Sequence, residues 1–155
     1  MSLSETNSLS INNVLESVSI ISSMICYDNT PDCRFGAFYA SRAPRISIKD
    51  FVERILTYSK IDKATFIIMM VYLDRAKDQL EFTYLNIHRL ILGSLIAAIK
   101  YCNDDLYPNT YYARIGGINL EELNLIEINF CALLGFDFYV DRETYDKYEE
   151  VCYRK

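Results

Sequence analysis

Few side chains in this sequence could do chemistry. One histidine, His88, stands beside Arg89, and five cysteines fall at positions 26, 33, 102, 131 and 152. Metal centres need clustered Cys, His and carboxylate ligands at short spacing. No two cysteines here form a CxxC pair, and no carboxylate–histidine cluster surrounds His88. A catalytic Cys/His pair would also need more than this. His88 therefore reads as a boundary residue or a hydrogen-bonding group at a helix start. Gly116-Gly117 lacks the Lys and further glycines of a phosphate-cradling loop and reads as a helix stop. The expectation is a protein that is not an enzyme, with no catalytic residue, metal, cofactor or small-molecule substrate.

Four charges set in apolar patterns are more informative. Lys100 ends the most apolar stretch of the chain, and Glu127 lies between Leu123 and Phe130, where a buried stripe would favour an apolar residue. A cation at a helix C-terminus complements the helix dipole, which accounts for Lys100 without any function. For Glu127, spacing favours an edge carboxylate that reaches solvent over a binding role. Arg54 sits at the edge of one apolar stripe, and Asp74 lies on the apolar side of another, three residues beyond Val71 and four beyond Met70. A carboxylate on a core-facing stripe is costly unless a cation meets it. Spacing leaves two readings level: an Arg54–Asp74 pair, or two surface charges that never meet. Either way their role is structural.

The element that must position these groups is Asn86 to Tyr101, NIHRLILGSLIAAIKY, uncharged from Leu90 to Ile99. A helix apolar on every face must be covered on every face. Its apolar run is about half of the roughly 20 residues a bilayer span needs. It is read as a buried core helix, with Gly93, Ser94, Ala97 and Ala98 letting neighbours approach closely. Around it the periodicity predicts further helices. One runs from Leu9 to Tyr27 after a frayed Met1 to Asn7, its stripe favouring packing on its own domain over a partner. Asp28 to Arg45 reads as a loop. Ser47 caps Ile48 to Ser59, whose stripe is Phe51, Val52, Ile55 and Tyr58. Asp62 caps Lys63 to Lys77. Asn109 to Ile115 is short and ends at Gly116-Gly117. Asn119, with Glu122 three residues on, caps a helix to about Leu134 that buries Leu123, Ile126, Phe130, Leu133 and Leu134. Asp141 to Tyr153 is the last helix. No strand pattern appears, so the fold class is all-α.

The 155 residues suffice for one domain with a true core. A formal net charge of −5 argues against a duplex-DNA binder, because phosphate contacts need clustered Lys and Arg. Cysteines inside apolar patterns suggest reduced thiols. With no visible secretory signal, the expected location is intracellular, nuclear and/or cytoplasmic, with neither membrane nor nucleic acid as a partner.

Taken in order, RAPRISIKDFVERI, VYLDR, LNIHRLILGSLIAAIKY and NTYYARIGGINLEELNLIEINFCALLGFDF resemble the cyclin box. The likeness is to the P/U-type branch, the phosphate-regulatory cyclins of fungi and related cyclins of plants and protists. It implies a single five-helix box around a buried third helix, with an extra N-terminal helix and a short C-terminal helix. The expected organisation is 1–41 for the N-terminal helix and connecting loop, 42–145 for the box, and 146–155 for the end of the C-terminal helix.

The resemblance also implies a partner, a cyclin-dependent protein kinase whose C-helix is held by the third and fifth box helices. By motif position, Lys100 and Glu127 match the family's kinase-contacting Lys and Glu. Tyr101, Cys131, Phe136 and Phe138 match positions that pack against the kinase. Arg54 and Asp74 match the family's buried ion pair, which favours the paired reading. There are departures. Aligned on Arg54, the Met-Arg-x-x-Leu substrate-docking patch of many cell-cycle cyclins has Glu53, Thr57 and Lys60 at its apolar anchors. The family's Asp-Asp after the central helix appears as Asn103-Asp104. The implied function is activating subunit of a cyclin-dependent kinase. The alternatives are a cyclin-fold adaptor for a non-kinase protein, then a nucleic-acid-binding cyclin fold, and last a thiol enzyme.

Overall fold

In the computed structural model, residues 11–26 and 33–153 are described. Among them are seven α-helices, one short 3-10 helix and a lone bridge between Ile25 and Phe82, with no strand. We number the helices α1 (Ile11–Ser23), α2 (Ile48–Ser59), α3 (Lys63–Lys77), α4 (Ile87–Cys102), α5 (Asn109–Gly116), α6 (Leu120–Leu133) and α7 (Arg142–Cys152). The fold is all-α, as expected.

Helix α4 is the centre. Every residue from Ile87 to Ile99 except Arg89 is buried, because α2, α3, α6 and the 3-10 helix all pack against it. The small residues do what the sequence suggested. A Cβ placed on Gly93 would lie 3.0 Å from three atoms of Phe130 in α6, so the two backbones approach at a distance only glycine allows comfortably. Phe130 is fully buried and meets Phe38 edge-on at 6.4 Å.

The helix starts follow local chemistry. Ser47 Oγ accepts from the Asp50 amide at 3.0 Å, and Asp62 Oδ1 accepts from the Thr65 amide at 2.9 Å. Asn119 and Glu122 form a reciprocal capping box. Each cap satisfies a donor that the helix itself leaves orphaned. Asn86 ties down the turn before α4, accepting from the Thr83 amide and donating to the Glu81 carbonyl.

Three expectations need correction. Tyr58 does not belong to the buried stripe of α2: it is 56% exposed, and Leu56 is buried with Phe51, Val52 and Ile55. The segment read as a loop contains the 3-10 helix Cys33–Phe38, which inserts Phe38 into the core. The first helix ends at Ser23, where the chain turns so that the Cys26 amide can donate to the Phe82 carbonyl at 2.7 Å. Its described buried face, Ser17 and Ile21, packs on the protein's own α2 and α7. Residues 1–10 and Tyr27, included in the expectation for this region, lie outside the described residues.

Replacing Gly93 with Ala sets a gain of about 1 kcal/mol in helix propensity against about 1–3 kcal/mol of overpacking. Phe130 is hemmed in near its Cβ, so we expect net destabilisation and a Tm lowered by a few degrees. Thermal unfolding measures it; a raised Tm would mean that Phe130 swings aside.

Candidate functional site

The last turn of α4 and the middle of α6 lie side by side, and they bring Lys100 against Glu127. Lys100 Nζ donates to both carboxylate oxygens, with Oε2 at 2.9 Å. The Lys100 side chain is 38% exposed and that of Glu127 only 15%, so the carboxylate is recessed and the ammonium reaches outward. Asn109, at the start of α5, donates to Glu127 Oε2 at 3.3 Å and to Asn124 Oδ1 at 2.9 Å. Glu127 is therefore neither a stray edge carboxylate nor an unpaired charge in the core.

Lys100, Tyr101, Glu127, Cys131 and Phe138, together with Ala97, line one open cleft of ≈ 210 Å³. Five of the six residues assigned from the resemblance are thus brought together. The sixth, Phe136, is not among the lining residues; it projects into solvent, 66% exposed. Its backbone is left-handed (φ 57°), following Gly135 (φ 63°), and its amide donates to the Cys131 carbonyl at 2.9 Å. A non-glycine residue in this region carries strain of order 1–2 kcal/mol. Burial pushes the Cys131 thiol up, and the neighbouring Glu127 charge adds to the effect.

The floor of the cleft is held by α3. The Tyr72 hydroxyl donates to the Phe138 carbonyl at 2.6 Å, and Arg75 donates to the Asp137 and Tyr139 carbonyls at 3.3 and 2.9 Å. Tyr72 meets Tyr101 and Phe138 edge-on, and those two are tilted against each other, an aromatic trio with centroids 6.1–6.5 Å apart. Sequence reasoning missed Tyr72, Arg75 and Asn109. Arg75 stood in a recognisable VYLDR run, but no spacing indicates that it binds carbonyls more than sixty residues away.

The Arg54–Asp74 pair does not form. Helix α2 packs on α4 and α5, whereas α3 packs on α4 and α7. Arg54 is exposed and donates to the Arg114 carbonyl at the end of α5, at 3.3 Å. Half-buried Asp74 accepts from the Tyr148 hydroxyl on α7, which is how a carboxylate is tolerated on that face. Burial and this carboxylate push the Tyr148 hydroxyl pKa up. His88 is a hydrogen-bonding boundary group, with Nε2 2.9 Å from the Ile46 carbonyl and its ring edge-on to Phe51. Since a carbonyl only accepts, Nε2 carries the proton, and burial lowers the His88 pKa. Among the described residues no group of three or more His, Cys, Asp or Glu could hold a metal, and no helix is long and apolar enough to cross a membrane.

Tyr148→Phe leaves Asp74 without its donor and should cost about 1–3 kcal/mol, whereas Arg54→Gln should change stability by no more than about 0.5 kcal/mol. Urea unfolding of both variants measures the order; a larger loss for Arg54→Gln would restore the ion pair.

Residues 5–138 match the family model described as cyclin. The chain is 38% identical over 118 residues to Cyclin-U4-2 of Arabidopsis thaliana, covering 74% of this chain and 55% of that protein. It is 37% identical over 113 residues to Cyclin-P3-1 of Oryza sativa subsp. japonica, covering 72% and 48%. It is 35% identical over 118 residues to the PHO85 cyclin-like protein psl1 of Schizosaccharomyces pombe, covering 74% and 49%. The chain spans about half the length of these curated relatives. A buried central helix, a Lys–Glu pair at its end and a match over most of the sequence agree: this chain belongs to the cyclin family, with relatives in its P- and U-type branch.

Proposed function

We propose that this protein is a regulatory, activating subunit of a cyclin-dependent protein kinase and has no catalytic site of its own. The observation that carries the reading is the Lys100–Glu127 pair at the rim of an apolar cleft. A surface that seizes a mobile helix needs apolar anchors and a few oriented charges. The anchors are Tyr101 (50% exposed) and Phe136 (66% exposed), with Phe138 and Cys131 in the cleft. The charges have capacity to spare. Lys100 uses two ammonium hydrogens on Glu127, which leaves a third for a partner carbonyl. The Glu127 carboxylate has room for one more donor beyond Lys100 and Asn109, such as an N–H at a kinase helix. The pair can thus grip a partner without breaking. Pressed against this face, the kinase C-helix would carry its glutamate to the kinase's own lysine, and the activation loop would order. The membership in the cyclin family and the PHO85 cyclin-like name of the fission-yeast relative support the same partner class.

Lys100→Ala combined with Glu127→Ala should leave the helical circular dichroism unchanged and weaken kinase binding by tenfold or more. Calorimetric titration against a cyclin-dependent kinase co-purified from the native cell tests this, and unchanged affinity would sink the assignment. Adding the wild-type chain should raise histone phosphorylation by that kinase; tight binding without activation would favour the adaptor reading. Phe136→Gly removes left-handed strain of about 1–2 kcal/mol against about 0.5–1 kcal/mol of added backbone entropy, so stability should hold level or rise by up to about 1 kcal/mol. The same variant should lose kinase affinity, an opposition that unfolding and titration together detect.

A further inference from the structure

Asp74 is a carboxylate set among apolar side chains, and no cation answers it. Where α1, α3 and α7 come together there is an open cleft of ≈ 250 Å³, walled by Ile20, Met24, Met70 and Val151, with Asp74 and Tyr148 supplying its polar atoms. Met70 and Asp74 stand about one turn apart on α3 and so share a face. Tyr72, midway between them, points the other way and donates to the Phe138 carbonyl. This cleft and the one at Lys100 therefore lie on different sides of α3.

The carboxylate is under-used. Asp74 is half-buried and makes no ion pair among the described residues. The Tyr148 hydroxyl donates to Oδ2, whereas a carboxylate offers about four acceptor sites. The neighbouring cations are engaged elsewhere. Lys147, which also lines the cleft, is 72% exposed and pairs with Glu143 at 3.4 Å. Arg75 donates to the Asp137 and Tyr139 carbonyls. Further negative charge comes from α1: burial, and then the charge of Glu16, push the Cys152 thiol of this cleft up to about 11.

We propose that this cleft binds a small organic ammonium, its N–H groups donating to Asp74 Oδ1 while its apolar body lies between Met24, Met70 and Val151. A carboxylate beside apolar surface is costly until a cation pairs with it, so such a ligand completes the site. The Tyr148 ring offers the same cation an aromatic face, and thioether side chains adapt to an irregular ligand. The volume falls below the about 300–1,000 Å³ of sites for drug-sized ligands, which selects a compact amine with a single charge. A protein partner is the poorer occupant. Helix α7, which forms one wall, exposes Glu143, Asp146, Lys147 and Glu150, and the core of a protein interface is depleted of charge.

The test uses the free 155-residue chain with no kinase, so its result is separate from that of the kinase reading. Methyl NMR would follow Ile20, Met24, Met70 and Val151 at constant ionic strength. The probes are phenethylammonium, phenethyl alcohol, ammonium chloride and acetyl-lysine methylamide. Phenethylammonium should shift these methyls saturably at millimolar concentration, with the alcohol at least fivefold weaker and ammonium chloride without effect. Asp74→Asn keeps an acceptor for the Tyr148 hydroxyl and should weaken phenethylammonium binding by fivefold or more. Val151→Phe, at an exposed position, leaves the carboxylate intact and should weaken binding as much by filling the cleft. Both variants are checked for native helicity; should Asp74→Asn unfold, Val151→Phe decides alone. Lys100→Ala should change nothing. The proposal is overturned by equal binding of the alcohol, by no saturable shift from phenethylammonium, by undiminished binding to either folded variant, or by ammonium chloride matching the amine. Tighter binding of the lysine derivative would also overturn it, by assigning the cleft to a partner's side chain.

Discussion

A helix with no polar face cannot be left uncovered, and this requirement governs the molecule. From Ile87 to Ile99 only Arg89 escapes burial, and the helices around α4 take their places by closing it off. Burying an aliphatic side chain stabilises by about 1.5–3 kcal/mol, so the many covered residues of α4 outweigh any single surface contact. Close approach at Gly93 brings α6 in tightly enough for the last turn of α4 to stand beside Glu127. The placement of Lys100 is thus a consequence of core packing, and the charge at the surface is aimed by the apolar residues beneath it.

The second half of the cleft depends on polar anchoring. The segment after α6 has no regular structure of its own, yet three hydrogen bonds from Tyr72 and Arg75 fix its carbonyls to α3. That anchoring sets Phe138 into the aromatic trio and leaves Phe136 outside, in a backbone conformation that costs free energy. Under the kinase-binding proposal, strain held at an exposed aromatic in this anchored segment suits a surface organised in advance of binding.

Helix boundaries were readable because capping chemistry is local. Ser47, Asp62 and Asn119 each stood before an apolar period and each caps its helix. The central helix was readable because burial on all sides leaves a sequence mark. The contact of Lys100 with Glu127 was not readable from spacing, since their separation of 27 residues carries no geometry; the resemblance assigned both to a kinase-facing surface, and their direct pairing is a finding of the fold. The same resemblance misled for Arg54 and Asp74. Each residue stands in the matching motif, but here Tyr148 supplies the donor for Asp74, and no local pattern marks a contact across 74 residues. Phe38 was missed because a single aromatic in a Pro- and Gly-containing stretch has no periodicity to betray its burial.

The account rests on the idea that one face, at the C-terminal end of α4, holds a kinase helix. Photo-crosslinking tests it most directly, with benzoylphenylalanine placed in turn at Tyr101, Phe136 and Tyr58 and the captured kinase peptide identified by mass spectrometry. Tyr58 is as exposed as the others but lies on α2, beside Tyr111 of α5. The account predicts capture of the kinase C-helix from positions 101 and 136 and none from position 58. Capture from position 58 alone, or of a kinase segment remote from that helix, would contradict it.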